Sequence, residues 1–324
     1  MSYRETGITV YGCEPDEAAL FRDMAPRFGV TPRITADPVS EATSALARGH
    51  RCVSISHRTR VSDATLLALR RAGVGYVSTR SIGYNHLDVD YAARIGLCVE
   101  NVAYSPDSVA DHTLMLMLMA VRQAKSTLRR ADAHDYRLPE VRGQELRDLT
   151  VGVVGTGRIG AAVLARLAGF GCRVLAHDTH PATSAEHVPL DELVRRSDLV
   201  TLHTPLHSGT YHLLDSRRIG LLRPGAFVVN TGRGALVDTE ALVSALADGR
   251  LGGAALDVVE GEEGIFYADR SATPIDNKLL LRLQDMPNVV ITPHTAYYTE
   301  HTLNDTVENS IVNCLAFDSG RRHG

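Results

Sequence analysis

A glycine-rich segment near the middle of the chain restricts its possible folds more than any other feature. The hexapeptide Gly155-Thr156-Gly157-Arg158-Ile159-Gly160 follows the apolar run Val151–Val154 and precedes the helical stretch Ala161–Ala168. In such a strand–turn–helix unit the first glycine permits a tight turn, the second lets a phosphate approach the backbone, and the third allows close helix packing. The N–H groups at the helix start then attract an anion. The segment therefore predicts a dinucleotide-binding site.

The residue at the end of the following strand bears on which dinucleotide binds. Asp178 lies 18 residues beyond Gly160, just after the run Arg173–Ala176. A carboxylate at this position accepts hydrogen bonds from the ribose hydroxyls and repels a 2′-phosphate. We therefore expect NAD as the cofactor. NADP stays open as the second option, because His177 and His180 lie beside the carboxylate.

Strand and helix patterns alternate on both sides of this motif. In the second half of the chain six apolar runs predict strands: Val151–Val154, Arg173–Ala176, Leu199–Leu202, Ala226–Asn230, Gly253–Leu256 and Val289–Ile291. Helical stretches separate these runs, as in a doubly wound parallel sheet. In the first hundred residues the strand candidates are Ile8–Tyr11, Cys52–Ile55 and Tyr76–Thr79, and the helix candidates are Asp16–Phe28 and Asp63–Ala72. Such alternation predicts a second α/β unit.

With 324 residues the chain exceeds the length at which a single hydrophobic core stops growing, so we expect two domains. The last helix candidate, Thr299–Phe317, has no strand after it and should pack back onto the N-terminal unit. We therefore predict a dinucleotide-binding domain of residues 105–298. It is inserted in a smaller, flavodoxin-like α/β substrate domain made of residues 1–104 and 299–324, and a cleft between the two domains should bind the substrate.

A long apolar helix candidate, Pro106–Arg122, suggests association between subunits. It contains the run Leu114-Met115-Leu116-Met117-Leu118-Met119, which is apolar on nearly every face. That much Leu and Met is hard to bury within one subunit. We therefore expect a homodimer.

Charge and cysteine content exclude several classes of partner. The net charge is -4, and no block of like charges is long enough to bind nucleic acid or a membrane surface. The longest apolar stretch, Thr113–Val121, is far shorter than the roughly 20 residues that span a bilayer. The five cysteines form neither a CxxC pair nor a cluster with histidines, so we expect no metal site. A cytoplasmic enzyme with a small-molecule substrate is the default expectation.

Three further segments lie just beyond predicted strand ends, where open α/β sheets bind ligands. Val228–Gly234 carries an arginine between two glycines, Gly253–Val258 ends a strand with an aspartate, and Thr292–Ala296 contains a histidine. All three resemble the corresponding segments of the D-2-hydroxyacid dehydrogenase family. The resemblance extends over nearly the whole chain.

This resemblance implies catalytic roles for Arg233, Glu262 and His294. The arginine would bind the substrate carboxylate and polarise its keto oxygen, since its planar fork suits two oxygen acceptors. The histidine would donate a proton to that oxygen, and the carboxylate would orient the ring and favour its charged form. Glu260 and Glu263 lie in the same loop, but the family places its glutamate five residues after the strand's aspartate, here Asp257.

The resemblance also implies residues that contact cofactor and substrate. In the nucleotide unit the matching cofactor contacts, beyond the glycine motif, are Thr204, Pro205, Thr210, Thr231, Gly232 and Asp257. The backbone of Ser81-Ile82-Gly83 looks like the family's turn that binds the substrate carboxylate. Tyr104, in the segment that resembles the hinge, and Tyr298 are the other implied substrate contacts. No role is assigned to His57, His86, His112, His134 or His203.

Aromatic residues near the implied catalytic groups narrow the substrate. Ile265-Phe266-Tyr267 after the glutamate and Tyr297-Tyr298 after the histidine are typical of the family's D-lactate branch, which reduces pyruvate. Aromatics crowding the substrate's methyl side leave room for a small side chain. The segments Val10–Cys13, Ala103–Asp107 and Ala296–Glu300 are similar, more closely still, to the D-lactate dehydrogenases of vancomycin-resistance clusters. That branch supplies D-lactate for a modified peptidoglycan precursor.

Two alternatives stay open at this point. One is a dehydrogenase of the same family for a bulkier 2-keto acid, such as 2-ketoisocaproate or phenylpyruvate. The other is a nucleotide-sensing binding protein that uses the same fold as a scaffold, as some corepressors of the family do. The lack of long charged or low-complexity tails disfavours the second alternative.

Overall fold

The computed structural model describes residues 6–139 and 141–320. The chain divides into two compact units. The first consists of Met1–Ser105 and Tyr298–Gly324, and the second of Pro106–Tyr297. The second unit is therefore one continuous segment that interrupts the first unit in sequence.

The first unit contains a sheet of five parallel strands. They are β1 Thr6–Val10, β2 Val30–Ile34, β3 Cys52–Ile55, β4 Tyr76–Thr79 and β5 Cys98–Glu100, in the order β2-β1-β3-β4-β5. This is the flavodoxin-like order, and it confirms the expected fold class. The sequence interpretation missed both edge strands. In β2, Pro32 lacks an amide hydrogen and Thr31 and Arg33 are polar, which is tolerated because only one side of an edge strand must pair.

Three α-helices lie between these strands in sequence: α1 Pro15–Met24, α2 Asp63–Arg71 and α3 Val89–Arg94. The expectation of one helix over Asp16–Phe28 is wrong for its last four residues. The α-helix ends at Met24, and a 3₁₀ turn covers Ala25–Phe28, where Pro26 has no amide hydrogen to continue the helical pattern. Gly29 then stops the segment with a left-handed φ of 68°.

The second unit contains a sheet of seven parallel strands. They are β6 Thr150–Val154, β7 Arg173–His177, β8 Glu186–His187, β9 Leu199–Leu202, β10 Ala226–Asn230, β11 Leu251–Leu256 and β12 Val289–Ile291. Their order, β12-β11-β10-β9-β6-β7-β8, is that of a doubly wound fold extended by one strand. All six predicted strands are present, which confirms the expected architecture. The seventh, β8, is two residues long and carries no apolar run that sequence could reveal.

The helices of the second unit are α4 Asp107–Val121, α5 Ala124–Asp132, α6 Arg158–Leu167, α7 Leu190–Arg196, α8 Ser216–Leu221, α9 Thr239–Ala247 and α10 Lys278–Asp285. The apolar helix α4 packs against α6 and the sheet, and it buries Leu116 and Met117 completely. Its other side exposes Met115 by 41% and Leu118 by 36%. The all-round apolar pattern thus reflects one buried face and one apolar face in contact with solvent.

The C-terminal helix, α11 Glu300–Asp318, belongs to the first unit. It packs on β1, β3 and β4, with Val307, Ile311 and Cys314 buried in one cluster with Ile8 and Tyr76. Across residues 6–139 and 141–320, no helix has both the length and the apolar character needed to span a membrane.

Candidate active site

The glycine-rich turn begins where β6 ends, and two of its glycines leave no room for a side chain. Gly155 has a φ of 89°, and a Cβ there would lie 2.6 Å from the carbonyl oxygen of His203. A Cβ on Gly160 would lie 1.9 Å from the carbonyl oxygen of Gly155. These contacts bring the first turn of α6 directly onto the strand end, as the motif predicts.

The middle glycine has the opposite environment. A Cβ on Gly157 would meet nothing within 4 Å, and this residue begins α6 without any side chain capping the helix. The space beside the start of α6 is therefore open, at the positive end of its helix dipole. Arg158 is exposed and Ile159 half-buried in the same turn. The turn fits a dinucleotide pyrophosphate in both charge and space.

Asp178 lies directly after β7 and beside this turn. Its carboxylate accepts hydrogen bonds from the backbone N–H of Thr156 at 2.6 Å, the Thr156 hydroxyl at 3.1 Å and the His180 N–H at 2.8 Å. Burial would raise the pKa of the Asp178 carboxyl, but these hydrogen bonds outweigh it and keep that pKa below its usual value. An anion is thus fixed next to the glycine turn, where an adenosine ribose fits.

The remaining cofactor candidates follow β9 and β10. The buried Thr210 hydroxyl donates to the carbonyl oxygen of Pro205 at 2.6 Å, which closes the loop that starts at Thr204. The Thr231 hydroxyl lies 2.8 Å from that of Thr113 on α4, and the Gly232 N–H donates to the Asn230 side chain at 3.0 Å. These contacts shape the carboxyl edge of the sheet on the side of the glycine turn.

The central feature of the second unit is a histidine–glutamate pair. Nδ1 of His294, just beyond β12, lies 2.6 Å from Oε1 of Glu262 in the segment after β11. The side chains are only 18% and 15% exposed, and the other Glu262 oxygen accepts the N–H of Val259 at 2.7 Å. Of the three clustered glutamates, Glu262 therefore contacts the histidine. Glu260 instead lies 3.0 Å from His212.

Asp257 holds the backbone around this histidine. Its fully buried carboxylate accepts hydrogen bonds from the Thr292 hydroxyl at 2.6 Å and from the N–H groups of Thr295 and Ala296 at 2.9 and 3.0 Å. Burial would raise the pKa of the Asp257 carboxyl, but hydrogen bonds, above all from His112 and Thr292, lower it below its usual value. The buried anion thus organises the loop that carries the catalytic candidate.

His112 is a contact that the sequence interpretation did not assign. Its Nε2 lies 3.0 Å from the Thr292 hydroxyl oxygen and 3.3 Å from Oδ1 of Asp257. His112 is separated from both residues by well over a hundred positions, so only the packing of α4 on the sheet reveals the contact. The sequence did contain one sign of this contact: His112 lies in an apolar helix, where a polar ring needs a hydrogen-bonding partner.

Arg233 follows β10, the strand next to β11. Asn230 donates its side-chain N–H to the Arg233 carbonyl oxygen at 2.8 Å, and Arg233 Nη1 donates to the Gly232 carbonyl oxygen at 2.7 Å. A Cβ on Gly234 would lie 2.2 Å from the carbonyl carbon of Val259, so only glycine permits this approach. The glycine brings the arginine's loop against the start of the segment that bears Glu262.

The candidate substrate residues belong to the first unit. The Ser81-Ile82-Gly83 turn follows β4, and the Ser81 hydroxyl donates to the Gly83 carbonyl oxygen at 2.9 Å. Asn101 donates to the Ile82 carbonyl oxygen at 2.7 Å, which fixes the turn from the other side. Tyr104 is half-buried, and the Tyr298 hydroxyl donates to Asp16 at 2.5 Å. These residues belong to the first unit, whereas Arg233, Glu262 and His294 belong to the second, where Glu262 and His294 are in contact.

In the described parts of the chain, no group of three or more His, Cys, Asp or Glu side chains is placed to hold a metal ion.

Residues 114–296 match the family model for the D-isomer specific 2-hydroxyacid dehydrogenase, NAD binding domain. A D-specific alpha-keto acid dehydrogenase from Enterococcus faecium is 56% identical over 317 residues, which are 98% of each chain.

Solved structures show the same similarity. A D-2-hydroxyisocaproate dehydrogenase aligns with a TM-score of 0.89 and 30% identity over 98% of both chains. A D-lactate dehydrogenase from Aquifex aeolicus, complexed with NAD and lactic acid, aligns with a TM-score of 0.87 and 31% identity. That alignment covers 97% of this chain and 96% of the other.

Proposed function

Because the chain belongs to the D-isomer specific 2-hydroxyacid dehydrogenase family and carries its NAD-binding domain, we propose that it reduces pyruvate to D-lactate. The observation that carries the proposal is the 2.6 Å contact between His294 and Glu262 at the sheet edge that also bears the glycine turn. A carboxylate at this distance accepts a hydrogen bond from Nδ1 and fixes the orientation of the ring. When bound, NADH supplies the hydride that adds to the keto carbon.

His294 donates the proton in this proposal. Glu262 occupies Nδ1, so the proton for the keto oxygen comes from Nε2 on the opposite side of the ring. As hydride reaches carbon, negative charge grows on the oxygen, and the charged ring both neutralises it and protonates it. His294 would then regain its proton from water before the next turnover.

Arg233 and the turn at residues 81–83 are the proposed carboxylate ligands. A guanidinium offers two parallel N–H donors to a carboxylate and a further one to the neighbouring keto oxygen. The backbone N–H groups of a turn held rigid by Ser81 and Asn101 would bind the carboxylate without an added charge. Binding the carboxylate at two points would fix which face of the ketone receives hydride, and this sets the product's configuration.

The aromatic residues around His294 support a small substrate. The Tyr267 ring centroid lies 5.8 Å from that of His294, and the Tyr297 ring stands edge-on at 6.4 Å. Bulky rings beside the proton donor leave little volume for a long side chain. The alternative, a bulkier 2-keto acid, is favoured by the likeness to the D-2-hydroxyisocaproate enzyme.

We also propose a physiological setting on the similarity of residues 10–13, 103–107 and 296–300 to the resistance-cluster branch. The D-lactate would enter a modified peptidoglycan precursor that binds glycopeptide antibiotics poorly. None of the five cysteines forms a disulfide bond in residues 6–139 and 141–320, which suits the reducing cytoplasm where such precursors are made. Deleting the gene in its host should remove precursors that end in D-lactate, and mass spectrometry of the precursor pool would detect their persistence.

A homodimer remains part of the proposal. The exposed residues Met115 and Leu118 on α4 are followed in sequence by the largely exposed Leu128, Tyr136 and Leu138. Exposing this many apolar side chains is costly in water, and we propose that a second copy of the chain covers them. Sedimentation equilibrium should give about twice the 35.1 kDa of one chain, and a monomer at micromolar concentration would contradict the dimer.

A substrate series tests the proposed reaction. Initial rates of NADH oxidation should be highest with pyruvate and lower with 2-ketoisocaproate and phenylpyruvate, and chiral chromatography should find D-lactate as the product. A preference for the bulkier acids would retain the mechanism and reject the pyruvate assignment. NADH binding without turnover of any 2-keto acid would reject the enzyme and favour a nucleotide-sensing protein.

The same assay tests the role of Asp178. With NADPH in place of NADH, the wild-type rate should fall, because the carboxylate repels the 2′-phosphate. Asp178→Ala should shift the ratio of the two kcat/KM values toward NADPH by about tenfold. An unchanged ratio would mean that other residues distinguish the two cofactors.

A further inference from the structure

The segment that follows β11 contacts His294 at a second point. Five residues after Glu262, Tyr267 donates its hydroxyl to the carbonyl oxygen of His294 at 2.9 Å. Glu262 therefore holds the imidazole, while Tyr267 holds the backbone of the same residue. On the other side, the His294 N–H donates to the Asp257 carbonyl oxygen at 2.7 Å. Both peptide groups that flank His294 are thus fixed by hydrogen bonds.

Both residues joined by the tyrosine's hydrogen bond have an unusual backbone. His294 has a φ of 55° and Tyr267 a φ of 65°, in the left-handed region that favours glycine. A non-glycine residue is strained there, and for a bulky side chain the conformation is rare. Such strain persists where surrounding contacts impose it, and it concentrates at functional sites. Two strained residues bonded to each other indicate that the conformation of each depends on the other.

The environment keeps the tyrosine a hydrogen-bond donor. Burial of its hydroxyl end, followed by the proximity of Tyr297 and Glu262, raises the pKa of Tyr267 well above its usual value. The residue as a whole is nevertheless 39% exposed, so burial of apolar surface alone does not account for a tyrosine there. A phenylalanine would make the same ring contacts but could not bind the carbonyl oxygen.

We infer that Tyr267 is a positioning residue for the proton donor: its hydroxyl holds the left-handed turn at His294 and thereby directs Nε2 toward the keto oxygen. The inference rests on the proposed function, in which His294 supplies the proton. Tyr267 itself touches neither the keto oxygen nor the hydride donor in this assignment. Its loss should therefore slow proton transfer while leaving cofactor binding intact.

The test is Tyr267→Phe, which removes one oxygen atom. We expect kcat for the preferred 2-keto acid to fall about three- to tenfold, the range for one lost hydrogen bond in the transition state. The dissociation constant for NADH and the melting temperature should stay at the wild-type values. The solvent deuterium isotope effect on kcat should rise, because proton transfer becomes more strongly rate-limiting. A merely structural tyrosine would lower the melting temperature and leave the isotope effect unchanged.

The matched control is Tyr211→Phe. Tyr211 also donates its hydroxyl to the segment after β11, at 3.0 Å from Glu260, but it is 55% exposed and does not contact His294. This control should keep the wild-type kcat and isotope effect. If Tyr267→Phe behaves like the control in an enzyme that is active, the inference is overturned and the proposed function stands. If the wild-type chain turns over no 2-keto acid, the proposed function fails first, and the inference with it.

Discussion

The second unit contains two histidine–glutamate pairs whose glutamates lie in the same loop after β11, yet the surroundings of the two pairs differ. Glu262 faces His294 at 2.6 Å, with side chains 15% and 18% exposed. Two residues earlier, Glu260 faces His212 at 3.0 Å, with side chains 32% and 27% exposed. In the first pair the carboxylate binds Nδ1, and in the second it binds Nε2.

The difference shows why only one pair suits proton donation. In His294 the ring nitrogen nearer the backbone is bound by the glutamate, so Nε2 at the far end points away from the pair. In His212 the far nitrogen is already bound, and Tyr211 also donates to Glu260 at 3.0 Å and stacks on the histidine ring. The His212–Glu260 pair, here called the closed pair, thus uses the outer nitrogen of its ring to connect two loops. A histidine–carboxylate contact therefore indicates a proton donor only when the carboxylate binds Nδ1, because Nε2 is then the outer nitrogen of the ring.

The largest expected effect separates the two histidines directly. His294→Gln should lower kcat by about 10²–10⁴-fold, because glutamine keeps a polar side chain but cannot transfer a proton. NADH binding, measured by fluorescence titration, should be unchanged since the glycine turn is untouched. Turnover near the wild-type rate would remove His294 from the chemistry and end the contrast between the pairs.

The next effect separates proton donation from substrate binding. Arg233→Lys should raise KM for pyruvate by about 10- to 100-fold, since lysine keeps the charge but loses the two-point contact with a carboxylate. His294→Gln acts mainly on kcat, so steady-state kinetics distinguish the two roles. An unchanged KM in the lysine variant would place the carboxylate elsewhere.

The smallest expected effect belongs to the closed pair. His212→Gln should change kcat and KM by no more than about twofold, because glutamine can still hydrogen-bond Glu260 and the pair contacts no proposed substrate atom. A melting temperature equal to that of the wild type would verify the fold. A large loss of kcat in this variant would mean that both pairs serve catalysis.

Much of the fold follows from sequence alone. The central strands of the second unit are short apolar runs, and a strand buried on both faces must be apolar whatever its neighbours are. Edge strands β2 and β8 escape prediction because pairing with one neighbour, rather than burial, selects them. Gly155 and Gly160 were predictable because a side chain at either would collide with the backbone, and Gly157 because the motif needs open space there for a phosphate.

Local sequence motifs predict less of the candidate site than of the fold. Spacing and resemblance pointed to Arg233, Glu262 and His294, and the structure brings the last two into contact. The contacts of His112 with Asp257 and of Tyr267 with His294 depend on how distant segments pack. No periodicity records such long-range pairs. Tyr267 was visible in sequence as an aromatic near the glutamate, but its bond to a backbone carbonyl was not.

The most direct test of this account compares two substitutions on the same loop. Glu262→Gln and Glu260→Gln each remove one charge, Glu262→Gln from beside His294 and Glu260→Gln from beside His212. The rate of pyruvate reduction at saturating NADH should fall about 10- to 100-fold in Glu262→Gln, because a misdirected ring transfers its proton poorly. In Glu260→Gln it should stay within about twofold of wild type. Equal losses in both variants, or a larger loss in Glu260→Gln, would contradict the assignment of His294 and Glu262 as the acid pair.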